Sequence, residues 1–329
     1  MFDQGVRLQL LIGATIPAPA PYNLVDALVD VEIENNDQGF DGFKLSFGLI
    51  KQPLRDYDLL ASGLLEPPNR IVIAVTVGVM PQVLIDGVIT RHETTASTEP
   101  GGSTLHVYGR DISQMLDLQE RSETYPNQAD SVIVLRLLGE YPTLKLTPQI
   151  TTTADFPVEV ERTPSQQGTD LAYIKALAER NSFVFYIEPT PVPGVNTAYW
   201  GPENRLGLPQ PDLAINQGAQ SNVDTPMAFS YDALAAAEPQ VSILEPITRQ
   251  QIPVPLPTSL QPSLATQAVR PLRTTIPRGT ANLTLAQAIL RSQAAAGGTD
   301  EVATTQGEVD TVRYGHVLQA RRLVRVVGA

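Results

Sequence analysis

Apolar and polar residues alternate with a period of two along much of the first third of the chain, the spacing that places one set of side chains on each face of a β-strand. Val29, Val31 and Ile33 interleave with Asp30, Glu32 and Glu34. After the turn-forming run Asn35-Asn36-Asp37-Gln38-Gly39, the alternation resumes with Phe43, Leu45, Phe47 and Leu49 against Lys44, Ser46 and Gly48. The two runs predict a hairpin with one buried face. Residues 70–79 are rich in isoleucine and valine without alternation, which predicts a strand buried on both faces. Further strands are predicted over 83–92, after Pro81, and over 103–109, after the turn Pro100-Gly101-Gly102. About five or six antiparallel strands in this region predict a small barrel or sandwich.

The period then changes. A short helix is predicted over 111–118. A second begins at Asp130 and carries Val132, Ile133, Leu135, Leu137 and Leu138. A third begins at Asp170, repeats Leu171, Ile174, Leu177 and Ala178 at helical spacing, and stops at Asn181. Phe183-Val184-Phe185-Tyr186-Ile187 reads as a strand, with Ala198-Tyr199-Trp200 as its partner. Beyond residue 205 strands are predicted over 226–231, 239–244 and 309–327. Between them lie a proline-rich loop, 252–263, with Pro253, Pro255, Pro257 and Pro262, and a helix, 284–296, opened by the capping box Thr284/Gln287 and closed by Gly297-Gly298. The expected fold is mainly β with an α/β insert: a first β-barrel domain over 1–110, an α/β domain over 111–204, and a second β-barrel domain over 205–329.

Composition narrows the chemistry. No cysteine is present, which excludes disulfides, thiolate metal sites and a cysteine nucleophile. His92, His106 and His316 are the three histidines and stand far outside metal-ligand spacing. The net charge of −12 argues against a nucleic-acid groove; Arg313, Arg321, Arg322 and Arg325 form a local basic cluster that fits a solvated or interface strand. The most apolar stretch, 71–85, is too short to span a membrane and contains Pro81 and Gln82. Arg7 and the apolar run after it have the outline of an export signal, which Asp3 and Gln9 interrupt; no signal peptide is expected. Phosphate loops, dinucleotide fingerprints, zincin and serine-hydrolase motifs are all missing from the sequence. Asp30, Glu32 and Glu34 share one strand face, which fits a solvated surface better than a cation site. No catalytic residue, metal or cofactor is expected.

A resemblance enters with three stretches in order. Gly109-Arg110-Asp111, followed by Ile112, Leu116 and Leu118, resembles the strand-to-helix turn of phage late control protein D and VgrG-type tail hubs. The helix at Asp130 follows. Then comes the run from Thr169 to Asn181, with Asp170, Ile174, Leu177, Ala178, Glu179 and Arg180, and after it Phe183, Phe185 and the strand Tyr199-Trp200-Gly201. Together these span residues 80–205. Asn181-Ser182 stands where that family usually has glycine. The resemblance implies a structural baseplate hub of a contractile phage-tail-like injection system. It implies a homotrimer with two barrels per chain, a pseudo-sixfold ring that adapts the hexameric inner tube to a trimeric spike. Its partners would be itself, inner tube proteins, a separate spike protein and other baseplate proteins. It would be made in the bacterial cytoplasm and incorporated in the particle. No OB-fold or spike β-helix follows, so the spike is expected to be a separate protein.

Two other readings stay open at this level. A tail-associated cell-wall glycosidase would need paired carboxylates, and Glu120, Glu123 and Asp130 are the candidates. A secreted carbohydrate-binding β protein would use Trp200 as a stacking platform.

Overall fold

The computed structural model describes residues 6–37, 39–49, 58–78, 80–99, 101–153, 155–159, 163–223, 225–244, 250–254, 271–276 and 302–328, together with Ala288, Ile289 and Ser292. The chain is predominantly β. Its largest element is a seven-stranded sheet in the order β2-β1-β5-β6-β7-β4-β3. The strands are β1 (Arg7–Gly13), β2 (Ala18–Pro19), β3 (Leu28–Glu34), β4 (Gly42–Leu49), β5 (Arg70–Val77), β6 (Met80–Thr95) and β7 (Ser103–Asp111). All neighbours run antiparallel. The hairpin β3–β4 matches its alternation, and Leu45, Phe47 and Leu49 join Ile71, Ile73, Ile85, Leu105 and Val107 in one core. Val29 departs from its pattern: it is exposed because a bulge between Leu28 and Asp30 removes it from the ladder.

The valine and isoleucine run of β5 is buried on both faces. Ile71 and Ile73 point into the first core, while Val72 and Ala74 pack with Leu11 and Val83 on the other side. A second layer covers that side. Strand β11 (Val184–Pro189) packs against β6, and it belongs to a three-stranded sheet, β11-β12-β9. Strand β12 (Asn196–Gly201) runs antiparallel to β11 and parallel to β9 (Leu146–Ile150). Helices α1 (Asp130–Gly139) and α2 (Asp170–Asn181) pack on this sheet through Ile133, Leu137, Ile174 and Leu177, and their core closes around the fully buried Trp200.

Several local expectations change. Residues 111–118 form a 3-10 helix, Ile112–Asp117, capped by the Asp111 carboxylate, which accepts from the Ser113 amide at 2.8 Å. Glu120–Thr124 is a strand, β8, paired with β10 (Ser165–Thr169); its side chains alternate between exposed and half-buried, the strand period. Asp130 and Asp170 are the first residues of their helices rather than the caps. Ala129 precedes α1 with no side-chain cap, and Thr169 caps α2 by accepting from the Ala172 amide at 3.2 Å. The left-handed residue that ends α2 is Ser182, φ +58°, and not Asn181.

Beyond residue 205 the described residues form four two-stranded sheets. Strand β13 (Gln210–Ala214) pairs in parallel with β20 (Val324–Val327), and β14 (Ala228–Tyr231) pairs with β19 (Ala303–Gln306). The short ladders β15 (Ala237–Pro239) with β18 (Arg273–Thr275) and β16 (Ser242–Leu244) with β17 (Gln251–Pro253) complete the set. The expectation of strands across 309–327 is corrected: a one-turn helix, Thr311–Tyr314, lies there, capped by Asp310 and stopped by Gly315 at φ +77°. Of the proline-rich loop, 255–263 lies outside the described residues, as does the capping box of the helix 284–296, in which Ala288, Ile289 and Ser292 are helical. The seven-stranded sheet is open: its edge strands β2 and β3 do not pair with each other.

Candidate functional site

Polar networks buried at the joints between the layers are the most specific chemistry in the chain. Arg70 and Asp86, with side chains 4% and 1% exposed, form a two-pronged pair at 2.7 and 2.6 Å. Arg70 also donates to the Gly194 carbonyl at 3.1 Å, and Asn196 donates to Asp86 at 3.0 Å. This group ties β5 and β6 to the start of β12. Asp130 accepts from Arg180 and from Asn181, the latter at 2.6 Å, so the start of α1 is held to the end of α2. Asp170 is fully buried and accepts from Tyr141 at 2.6 Å and Gln166 at 2.7 Å, with Arg121 at 3.3 Å. Burial and the bond to Asp170 push the Tyr141 hydroxyl up from its usual range. Tyr125 donates to Gln166 at 2.5 Å, and burial pushes its hydroxyl up to about 12. Both phenols are thus held as donors.

A fourth group joins distant parts of the sequence. Arg321, at φ +61°, donates to both oxygens of Asp41 at 3.0 and 2.9 Å and to the Asn36 carbonyl. Its guanidinium lies 4.6 Å from the centre of the Tyr186 ring. The basic cluster expected near Arg321 is neutralised in place: Arg322 pairs with Glu188 and Arg325 with Asp212.

The family-motif residues fall into this framework. Leu116, Ile174, Leu177 and Trp200 share one core, and Phe183 meets Trp200 edge-on at 4.9 Å with Phe185 packed alongside. The Trp200 indole donates to the Ile174 carbonyl at 3.3 Å, so the ring offers no platform to a sugar. Gly109 sits opposite Phe43 in the β4–β7 ladder, and a Cβ there would lie 2.0 Å from that ring. A Cβ on Gly201 would meet the Thr151 hydroxyl at 2.5 Å. Asp111 is buried; desolvation pushes its carboxyl above the usual carboxylate range, against the opposing pull of its bond to Ser113. Arg110 is exposed and lies over Phe40 at 4.7 Å.

The candidate glycosidase acids are not brought together. Glu120 and Glu123 are three positions apart on β8 and point to opposite faces, with Glu123 toward Arg136 at 3.6 Å, while Asp130 is inside the helix joint. No cluster of metal-binding side chains occurs among the described residues. No helix among them is long and apolar enough to cross a membrane. A groove of about 1110 Å³ opens where β3, β4, β6 and β7 meet the 3-10 helix, bordered by Glu32, Glu34, Phe40, Arg91, Tyr108 and Arg110.

Sequence reasoning missed the joints made by Arg70, Asp86 and Asn196 and by Asp41 and Arg321. Their partners lie 16 to 280 residues apart, so no local spacing marks them.

Comparison with solved structures places this architecture. The chain superposes over 98% of its length on the tail protein of Neisseria meningitidis MC58, with a TM-score of 0.58, 15% identity and 86% of that protein covered. It superposes to the same extent on the 43 kDa tail protein of prophage MuSo2 from Shewanella oneidensis, with a TM-score of 0.59, 12% identity and 89% coverage. The chain has a phage tail-protein fold. A weaker likeness, TM-score 0.49 at 10% identity over 83% of this chain and 44% of the other, is to a chain of a Francisella PdpA-VgrG complex. No protein-family model matches the sequence, and no curated protein matches it. The tail-protein fold is therefore visible in the backbone where sequence similarity has faded.

Proposed function

We propose that this chain is the structural hub of a contractile phage-tail-like particle, a homotrimer that adapts a sixfold inner tube to a threefold spike. The observation that carries the reading is the superposition of nearly the whole chain, 98%, on two tail proteins. In this reading residues 1–110 and 205–329 are two ring-forming units and 111–204 is the insert between them. Three chains then supply six wedges. Among the described residues no strand pairs with the outer edge of β3, which supports the reading, since an unpaired strand is a liability in a lone protein and a joint in a ring. The net charge of −12 suits a passage through which acidic cargo or nucleic acid must slide without sticking. Its partners are tube, spike and neighbouring baseplate proteins, and its work is mechanical.

Native mass spectrometry of the purified chain, alone and with its tube and spike proteins, tests this. A species of three times 35.6 kDa is expected. A single chain at every concentration and with those proteins present overturns the reading.

A further inference from the structure

The groove bordered by β3, β4, β6 and β7 gathers Lys44, Arg91 and Arg110 beside the acids Glu32, Glu34 and Asp41. In a chain of net charge −12, Lys44 and Arg91 both stand opposite Tyr108, on its two neighbouring strands, and Arg110 is the next residue along the same face of β7. Like charges at such cross-strand and diagonal positions repel one another. Lys44 is neutralised by Glu32 at 3.0 Å and Asp41 is taken by Arg321, which leaves Glu34 as the third lining acid, on the β3 rim. Among the described residues, Arg91, Arg110 and the adjacent Lys175 have no carboxylate within ion-pair range. Each is laid against a ring instead: Arg91 over Tyr108 at 4.3 Å, Arg110 and Lys175 over Phe40 at 4.7 and 3.9 Å. The Arg91 guanidinium, flattened on its ring, is held in place with its edge open to a carboxylate, while Arg110 also donates to the Gln114 side-chain oxygen at 3.1 Å, a neutral partner that a carboxylate can displace. Beside these cations the groove exposes apolar surface, with Leu118 58% exposed next to Met115.

We propose that this groove docks an extended acidic segment of a partner protein, with carboxylates seated on Arg91 and Arg110 and an apolar side chain against Met115 and Leu118. Charge complementarity selects that occupant. An extended peptide presents carboxylates to Arg91 and Arg110 on alternate residues and leaves the residues between them to meet Met115 and Leu118. The inference rests on the groove residues alone and stands whether or not the chain is trimeric.

Fluorescence anisotropy on the full-length chain tests it, with the labelled peptide Gly-Glu-Leu-Glu-Phe-Glu-Leu-Gly, the same peptide with glutamine for glutamate, and a single-stranded DNA of eight nucleotides. The glutamate peptide is expected to bind about tenfold or more tighter than the glutamine peptide. The pair Arg91→Gln with Arg110→Gln should erase that difference at an unchanged melting temperature, and so should a rise from roughly 50 to 300 mM salt. Arg136→Gln, a cation outside the groove, should change nothing. Equal binding of the two peptides, indifference to the paired substitution, or tighter binding of the DNA overturns the proposal. A change in oligomeric mass caused by the paired substitution also overturns it, because the occupant would then be a second copy of the chain.

Discussion

At Gly109 a single missing atom sets the spacing of two strands. The Phe43 ring lies over the glycine, and the Val88 carbonyl stands 2.6 Å from where a Cβ would be. Neither neighbour can retreat, since Phe43 is 4% exposed and the carbonyl belongs to the β6 backbone. Gly109→Ala is expected to destabilise the chain by about 1–3 kcal/mol through overpacking, read as a lower urea midpoint. Two positions on, Asp111 carries a pH signature. Its carboxyl titrates higher in the folded chain than in the unfolded one, so the folded state holds that proton more tightly. The associated stability is present at low pH and declines as pH rises through the folded value. Asn caps as well as Asp, so Asp111→Asn should gain stability relative to the parent as the pH is raised from about 4 toward 7. Denaturant midpoints of the two proteins across that range measure it. A constant difference would show that burial does not govern this carboxyl.

At the level of elements, the helices show where pattern reading stops. The apolar spacing of Leu171, Ile174 and Leu177 placed α2 and its buried face correctly, because that face is a local property of the sequence. By residue type and position, Asp130 and Asp170 would serve as helix caps. Both turn inward instead, since the antiparallel approach of other elements brings Arg180, Asn181, Tyr141 and Gln166 to them. That approach is tertiary and leaves no periodic trace. Strand β8 was hidden for the same reason: Glu120 to Thr124 has no apolar alternation, and its partner β10 lies 41 residues or more away. The Asp130 joint is the part of this arrangement most exposed to mutation. Asp130→Ala leaves Arg180 without its partner at a buried site and is expected to cost about 3 kcal/mol, seen by chemical denaturation.

Across the whole molecule, the β-rich start and the mixed middle were legible because each carries its own period, and β5 announced its double burial through unbroken Ile and Val. Of the stretch 309–327, Val324–Val327 is the expected strand, while the helix before it escapes pattern reading because Asp310 and Gly315 bracket only one turn, too brief for a period to show. The pairing of β13 with β20 was beyond reach for another reason: Gln210 lies beside Val324, and parallel partners share no turn. That pairing has a consequence for synthesis. At roughly 5–20 residues per second, β13 leaves the ribosome several seconds before the strand it must lie against. During that interval its hydrogen-bonding edge is unsatisfied and open to any passing strand. Newly made chains are therefore open to misassociation at this point, while the seven-stranded sheet behind it already has every strand it needs.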